Sequence, residues 1–172
     1  MRRTATLDPL RVYRFDLTRS IDPQCHCDRC IGHTITHPGP VVWVLNNPST
    51  ADESIDDPTV RRCWGYTTQW GFDSMVFVNV NPFRSTTPED AQLPVPQAAI
   101  YNAHHIRKWA ALSSIVIVAW GSKANPELVN KTREMLKQNA QHKTFYLRLT
   151  KSGQPWHPLY LPYGLTPIAF QP

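Results

Sequence analysis

The chain has 172 residues, of which 18% are charged and 41% are hydrophobic, and its formal net charge is +5. This length suits one domain, residues 1–172, and the positive charge suits a polyanionic partner without specifying one. No apolar run is long enough for a membrane span, and the N-terminus lacks the apolar segment of a signal peptide. We therefore expect a cytoplasmic protein that does not enter a membrane, with no obligate protein partner evident.

Apolar, β-branched runs predict the strands of this chain. Residues 1–10 are expected to form an arm, and the alternation over residues 11–17 predicts a half-exposed strand. Four runs are typical of strands that are buried on both faces. They cover residues 41–46, 75–80, 115–120 and 144–149.

Three predicted helices alternate with these strands. Asp57 is placed as the N-cap and Pro58 as the first residue of a helix that ends near Trp70. The other two cover about residues 96–112 and 126–139. Alternating strands and helices predict an α/β three-layer sandwich, with a central, mainly parallel four-stranded sheet and helices on both faces.

Polar residues follow each predicted core strand, where ligands bind in open α/β sheets. In chain order they include Asn46, Asn47, Ser49 and Thr50, then Asn79 and Asn81, then Trp120, Ser122 and Lys123, and finally Lys151, Ser152 and His157. Because the ends of parallel strands lie on one edge, these residues predict a site that holds a heterocycle and a phosphate. The chain lacks the glycine-rich motifs of P-loop and dinucleotide-binding proteins.

A segment rich in cysteine and histidine is inserted at about residues 20–39. Its Cys25, Cys27 and Cys30, together with His33 or His37 nearby, have the composition of a structural zinc site. An iron–sulfur cluster is the less favoured alternative, and a loop of free thiols is the plain one. Cys63 is a candidate fourth ligand, but it lies on a helix face expected to pack inward.

Three stretches resemble the bacterial and phage family labelled DUF1643. They are Leu45–Asp52, Asp56–Cys63 and the segment from Leu149 to Pro162, with Lys151-Ser152-Gly153 and His157-Pro158 within it. The resemblance covers nearly the whole chain. The family label itself implies no chemistry.

Four short motifs also resemble, in order, those of the uracil-DNA glycosylase superfamily. Val44–Ser49 is similar to the first motif of its mismatch-specific thymine/uracil branch, and Phe77–Pro82 to the strand with the base-reading asparagine. Val116–Ala124 is similar to the strand that ends in Trp-Gly, and His157-Pro158 to the start of the last motif. The resemblance implies a glycosylase-like fold and DNA as the partner.

The resemblance also implies roles for individual residues. Asn47 would position the attacking water, and His157 would donate a hydrogen bond to the base as it leaves. Asn79 would pair with the base edge, and Asp52 is a reserve activator of the water. Further substrate contacts are expected from Asn46, Ser49, Trp120, Ser122, Lys123, Lys151 and Ser152. The plain alternatives are a turn amide at Asn47, a loop histidine at His157, a strand-end cap at Asn79 and solvated surface positions for the serines and lysines.

The expected function is therefore that of a DNA glycosylase. Such an enzyme flips a base out of the stack and hydrolyses its N-glycosidic bond, which leaves an abasic site. The resemblance suggests a modified base as the substrate, such as a hypermodified phage base removed in anti-phage defence. The first alternative is a module that binds a nucleotide or nucleic acid without cleaving it. The second is a phage-type structural or interaction protein stabilised by zinc.

Overall fold

The computed structural model describes residues 1–21 and 39–172. These residues contain three α-helices, α1 (Pro58–Gln69), α2 (Pro96–Leu112) and α3 (Pro126–Ala140). The described part of the chain also contains seven strands. They are β1 (Arg2–Leu7), β2 (Arg14–Ser20), β3 (Val41–Leu45), β4 (Ser74–Asn79), β5 (Ile115–Val118), β6 (Thr144–Tyr146) and β7 (Ile168–Ala169).

The seven strands form one mixed sheet in the order β1-β2-β4-β3-β5-β6-β7. The pairs β4–β3, β3–β5 and β5–β6 are parallel, whereas β1–β2, β2–β4 and β6–β7 are antiparallel. The prediction of a central, mainly parallel four-stranded sheet is therefore wrong, although the α/β class agrees with the structure. A hairpin at one edge and a two-residue strand at the other edge make the sheet larger and mixed.

The N-terminal hairpin is the main departure from the predicted sheet. The residues expected to form an arm contain β1, a largely exposed edge strand. It pairs antiparallel with β2, and the first pair places Arg2 opposite Ser20. Charged and polar side chains on an exposed edge discourage further strand pairing, and they also hide the strand from a search for apolar runs. β2 itself is mostly buried rather than half-exposed.

Alternate residues of β3 contribute to two cores. Val41, Trp43 and Leu45 pack beneath α1, whereas Val42 and Val44 pack beneath α2 and α3. This alternation explains the unbroken apolar run, because both faces of the strand are covered. The helices therefore lie on both faces of the sheet.

Local capping fixes where the polar end of the sheet meets α1. The Asp57 side chain accepts a hydrogen bond from the backbone N–H of Val60 at 2.8 Å, and Pro58 is the first helical residue. Asn125 caps α3 in the same manner through Leu128. No helix in residues 1–21 and 39–172 is long and apolar enough to cross a bilayer.

Candidate functional site

A pocket of about 450 Å³ lies where β3 and β5 end and α1 begins. This volume falls within the range of small-molecule sites. Its lining includes Arg14 from β2 and three sets of residues after β3, at the start of α1 and after β5. These are Asn46, Asn47, Ser49 and Thr50; Asp57, Pro58, Thr59 and Val60; and Trp120, Gly121, Ser122 and Lys123. The loop after β6 adds Thr150, Trp156, His157, Leu159 and Tyr160.

Asn47 is oriented by two backbone carbonyls. Its Nδ2 donates to the oxygen of Ser85 at 2.8 Å and to that of Pro48 at 3.2 Å. Its Oδ1 accepts no hydrogen bond from the described residues. Since Asn47 lines the pocket, this oxygen is an acceptor available to a water or a ligand.

His157 is held in one tautomer by its own loop. Its Nδ1 accepts a hydrogen bond from the backbone N–H of Leu159 at 3.4 Å, which leaves the proton of the neutral ring on Nε2. Burial lowers the pKa of His157 to about 4, and it outweighs the opposing effect of the Asp57 carboxylate. The ring is therefore neutral at physiological pH and offers an N–H donor.

This depressed pKa predicts a specific loss of stability in acid. At about pH 7 the ring is neutral in both the folded and the unfolded chain. As the pH falls from 6.5 towards 4, the unfolded ring takes up its proton first, so stability is lost through that window. The loss should reach about 2–3 kcal/mol near pH 4.5.

Chemical denaturation of the wild type and of His157→Gln at about pH 7 and pH 4.5 measures this effect. The variant should lose less stability between the two conditions, by about 2–3 kcal/mol, because glutamine does not titrate. Equal losses in the two proteins would contradict the prediction.

Asp57, and not Asp52, is the carboxylate that lines the pocket. One oxygen of Asp57 caps α1, and the other accepts no hydrogen bond from the described residues. Asp52 instead accepts from the backbone N–H groups of Ser54 and Ile55 and pairs with Arg11 at 3.1 Å. These backbone hydrogen bonds and then Arg11 hold the pKa of Asp52 below its usual range.

Asn79 lies behind the lining rather than in it. Its side chain is 1% exposed, and its Oδ1 accepts from the Arg14 guanidinium at 3.3 Å. Trp120 lines the pocket but is 2% exposed, and its Nε1 donates to Gln154 at 3.0 Å. The structure therefore gives both residues a supporting position.

The predicted phosphate contacts divide into two groups. Ser49, Ser122 and Lys123 line the pocket together with Asn46, although Lys123 forms an ion pair with Glu89. Lys151 and Ser152 are exposed and lie outside the lining, in a turn where the Ser152 hydroxyl contacts that of Thr150 at 2.9 Å.

Two charged residues of the lining, Arg14 and Asp57, were not assigned to the site from the sequence. Arg14 occupies a polar position of an alternating strand, and such positions normally face solvent. Asp57 was one of three rival catalytic carboxylates, with Asp52 and Asp56, but it was assigned to the helix cap. The one signal for Asp57 was its position, since a cap at the start of α1 lies beside the ends of the parallel strands.

The predicted metal ligands Cys25, Cys27, Cys30 and His33 lie outside the described residues, so the zinc site stays a prediction. Within residues 1–21 and 39–172 there is no cluster of three potential ligands. Cys63 lies on the buried face of α1, and burial raises the pKa of its thiol well above the usual value. This position agrees with the expectation that Cys63 packs inward.

A second group of titratable residues connects α2 to the sheet. The Asp16 carboxylate accepts hydrogen bonds from His105 Nδ1 and Trp109 Nε1, both at 2.7 Å. Burial acts to raise the pKa of Asp16, but these hydrogen bonds outweigh burial and hold it below its usual value. The group contributes no residue to the pocket lining, so we assign it to the attachment of α2.

The fold and the pocket define an α/β domain with a mixed sheet and a polar cavity at the ends of its parallel strands. A family model described as a protein of unknown function, DUF1643, matches residues 14–159. The chain therefore belongs to the DUF1643 family. No curated protein and no solved structure matches the chain, and neither comparison supports the resemblance to uracil-DNA glycosylases.

Proposed function

We propose that the protein is a DNA glycosylase that hydrolyses the N-glycosidic bond of a flipped, modified base. One observation carries the proposal: Asn47, Asp57 and His157, which are distant in sequence, line one pocket. Together they offer an amide acceptor, a carboxylate and a neutral N–H donor. These are the groups that hydrolysis of a glycosidic bond requires.

The chemistry separates into attack and departure. The Oδ1 of Asn47 accepts a hydrogen bond from a water and directs it at the sugar carbon, and the free oxygen of Asp57 takes up the proton of that water. The bond to the base breaks with its electron pair on the base. The Nε2–H of His157 donates a hydrogen bond to the charge that develops there.

Access to a base requires its extrusion from the stack. Two aromatic side chains of the loop after β6, Trp156 and Tyr160, line the pocket and are 37% and 70% exposed. Exposed aromatic rings stack on bases whatever their sequence, and the net charge of +5 favours DNA. A hypermodified phage base, excised in anti-phage defence, is the substrate class that we favour.

The direct test is incubation of the protein with modified and unmodified phage genomes, followed by mass spectrometry of free bases and assay of abasic sites. We expect base release from at least one modified genome and none from unmodified DNA. Release from no genome would reject the proposal.

Asn47→Ala should lower the rate of base release while DNA affinity stays close to that of the wild type. The reason is that the amide acts on the attacking water, an interaction made in the transition state. Single-turnover kinetics measures the rate, and a binding titration measures the affinity. A wild-type rate in a folded Asn47→Ala variant would transfer the positioning of the water to Asp57.

The second candidate is the module that binds a nucleotide without cleaving it. A buried arginine, Arg14, lines the pocket without a contacting carboxylate among the described residues, which suits the binding of an anion. Tight nucleotide binding with no base release from any genome would favour this candidate.

A further inference from the structure

Arg14 is a buried cation at the wall of the pocket. Its side chain extends from β2, and the residue is 3% exposed. Its two terminal nitrogens donate to the carbonyl oxygen of Ala51 at 2.8 Å and to Oδ1 of Asn79 at 3.3 Å. A guanidinium has five N–H donors, so these neutral acceptors satisfy only part of its capacity.

The charge of Arg14 has no carboxylate within 4 Å in the described part of the chain, whereas the nearby Arg19 contacts Asp56 at 2.7 Å. Burial lowers the pKa of Arg14 to about 10, so the side chain keeps its charge at neutral pH. The Asp57 carboxylate, which lines the same pocket, acts in the opposite direction on this pKa but forms no ion pair with Arg14, so the buried charge is compensated only in part. The fold retains this charge beside a cavity, where a ligand can compensate it.

Unsatisfied donors surround this charge. Nε of Arg14 and Nδ2 of Asn79 are both buried and have no hydrogen-bond partner among the described residues. Asn79 gives its acceptor oxygen to Arg14, so what the pair has left to offer is donors. At its part of the wall Arg14 offers only donors, which suits an acceptor or anionic group of a ligand, while Asn79 holds the guanidinium from behind the lining.

The other cationic side chain of the lining, Lys123, differs from Arg14. Lys123 is exposed and paired with Glu89, so it can hold an anion only by exchanging one carboxylate for another. Arg14 makes no such exchange. The buried position also excludes water, which strengthens a charge-assisted hydrogen bond.

We propose that Arg14, supported by Asn79, is the anion-recognition residue of the pocket and binds a phosphate or carboxylate group of the ligand. The inference rests on the proposed function and deepens it by naming a substrate class. The ligand is a nucleotide that places an anionic oxygen group against Arg14. That group is either the phosphate of the nucleotide or an acidic substituent on its base.

Calorimetric titration of the full chain with two matched pairs of ligands tests this inference. One pair is thymidine and thymidine 5′-monophosphate, and the other is uracil and 5-carboxyuracil. The charged member of one pair should bind at least about tenfold more tightly than its neutral counterpart. A preference within the first pair identifies the phosphate as the source, and a preference within the second identifies the acidic base.

Arg14→Gln should abolish that preference and leave the affinity for the neutral counterpart within about twofold. Lys131→Gln is the matched control, because it removes one positive charge from an exposed position on α3. It should retain the preference. A preference that survives in Arg14→Gln would overturn the inference.

The two ligand pairs, measured with the wild-type protein, test the inference even if Arg14→Gln does not fold. Equal binding of the charged and neutral ligands in both pairs overturns the inference on its own. The genome assay remains separate. Base release without a charge preference would reject the role of Arg14 and keep the glycosylase. A charge preference without base release would keep Arg14 and reject the glycosylase.

Discussion

Replacing His157 with alanine is expected to lower the rate of base release by about 10²–10³-fold, the effect of removing one donor to a developing negative charge. The hydrogen bond from Leu159 to Nδ1 places the only proton of the neutral ring on Nε2. The interaction strengthens as the base acquires charge, so the loss should fall on turnover rather than on DNA affinity. Single-turnover measurement of abasic-site formation gives the rate.

The variant His157→Gln separates a hydrogen-bond donor from a proton donor. A glutamine amide donates a hydrogen bond but transfers no proton, so this variant should keep more activity than His157→Ala. Because the pKa of His157 is lowered to about 4, its ionisation should not change the wild-type rate between about pH 6 and pH 8. A rate that falls above about pH 6.5 in the wild type but not in His157→Gln would instead indicate a protonated imidazole.

Much of the interior of the fold could be predicted because its signals are local. The apolar run of β3 is continuous because α1 covers one face while α2 and α3 cover the other. The start of α1 was evident because a capping aspartate and a proline stand side by side at Asp57 and Pro58. Each of these features depends on residues within one turn or one strand.

The sheet edges could not be predicted in the same way. β1 is polar and largely exposed, and β7 has two residues, so neither produces a pattern that differs from a loop. Their pairing is antiparallel and involves partners that no local pattern identifies. These edges made the predicted sheet too small and too parallel.

The candidate site shows the same division. The positions of Asn46, Asn47, Ser122 and His157 follow from the ends of the strands, and all four line the pocket. The sequence assigned Asp57 to the helix cap and kept Asp52 as the reserve activator of the water, although each carboxylate accepts nearby backbone N–H groups. Only the packing of α1 against the sheet places Asp57 at the pocket.

The buried arginines were the largest omission. Arg14 and Arg19 occupy β2 at 3% and 0% exposure. The alternation over residues 11–17 assigns Arg14 to the solvent, and Arg19 lies beyond that alternation. Their burial depends on the loop over residues 51–56, which supplies carbonyl acceptors to both and a carboxylate to Arg19. Contacts between segments so far apart in sequence have no local signal.

Asp56→Ala is expected to have the largest effect on stability, a loss of about 3–5 kcal/mol. Nε of Arg19 donates to Asp56 at 2.7 Å, and the arginine side chain is 0% exposed. Removing the carboxylate leaves a buried cation whose other partners among the described residues are backbone carbonyls. This costs more than the ion pair itself contributes. Urea denaturation of the wild type and the variant measures the difference.

Glu53→Ala is the matched control, because it removes a carboxylate of the same loop from an arginine that is exposed. Arg11 and Glu53 are 47% and 44% exposed, so this loss should be much smaller than that of Asp56→Ala, because solvent screens an exposed ion pair. Arg19→Met should cost less than Asp56→Ala, because it removes the buried charge along with its partner. If Asp56→Ala and Glu53→Ala destabilise the protein equally, the Arg19–Asp56 pair does not hold the loop, and the position of Asp57 beside the pocket must depend on α1 alone.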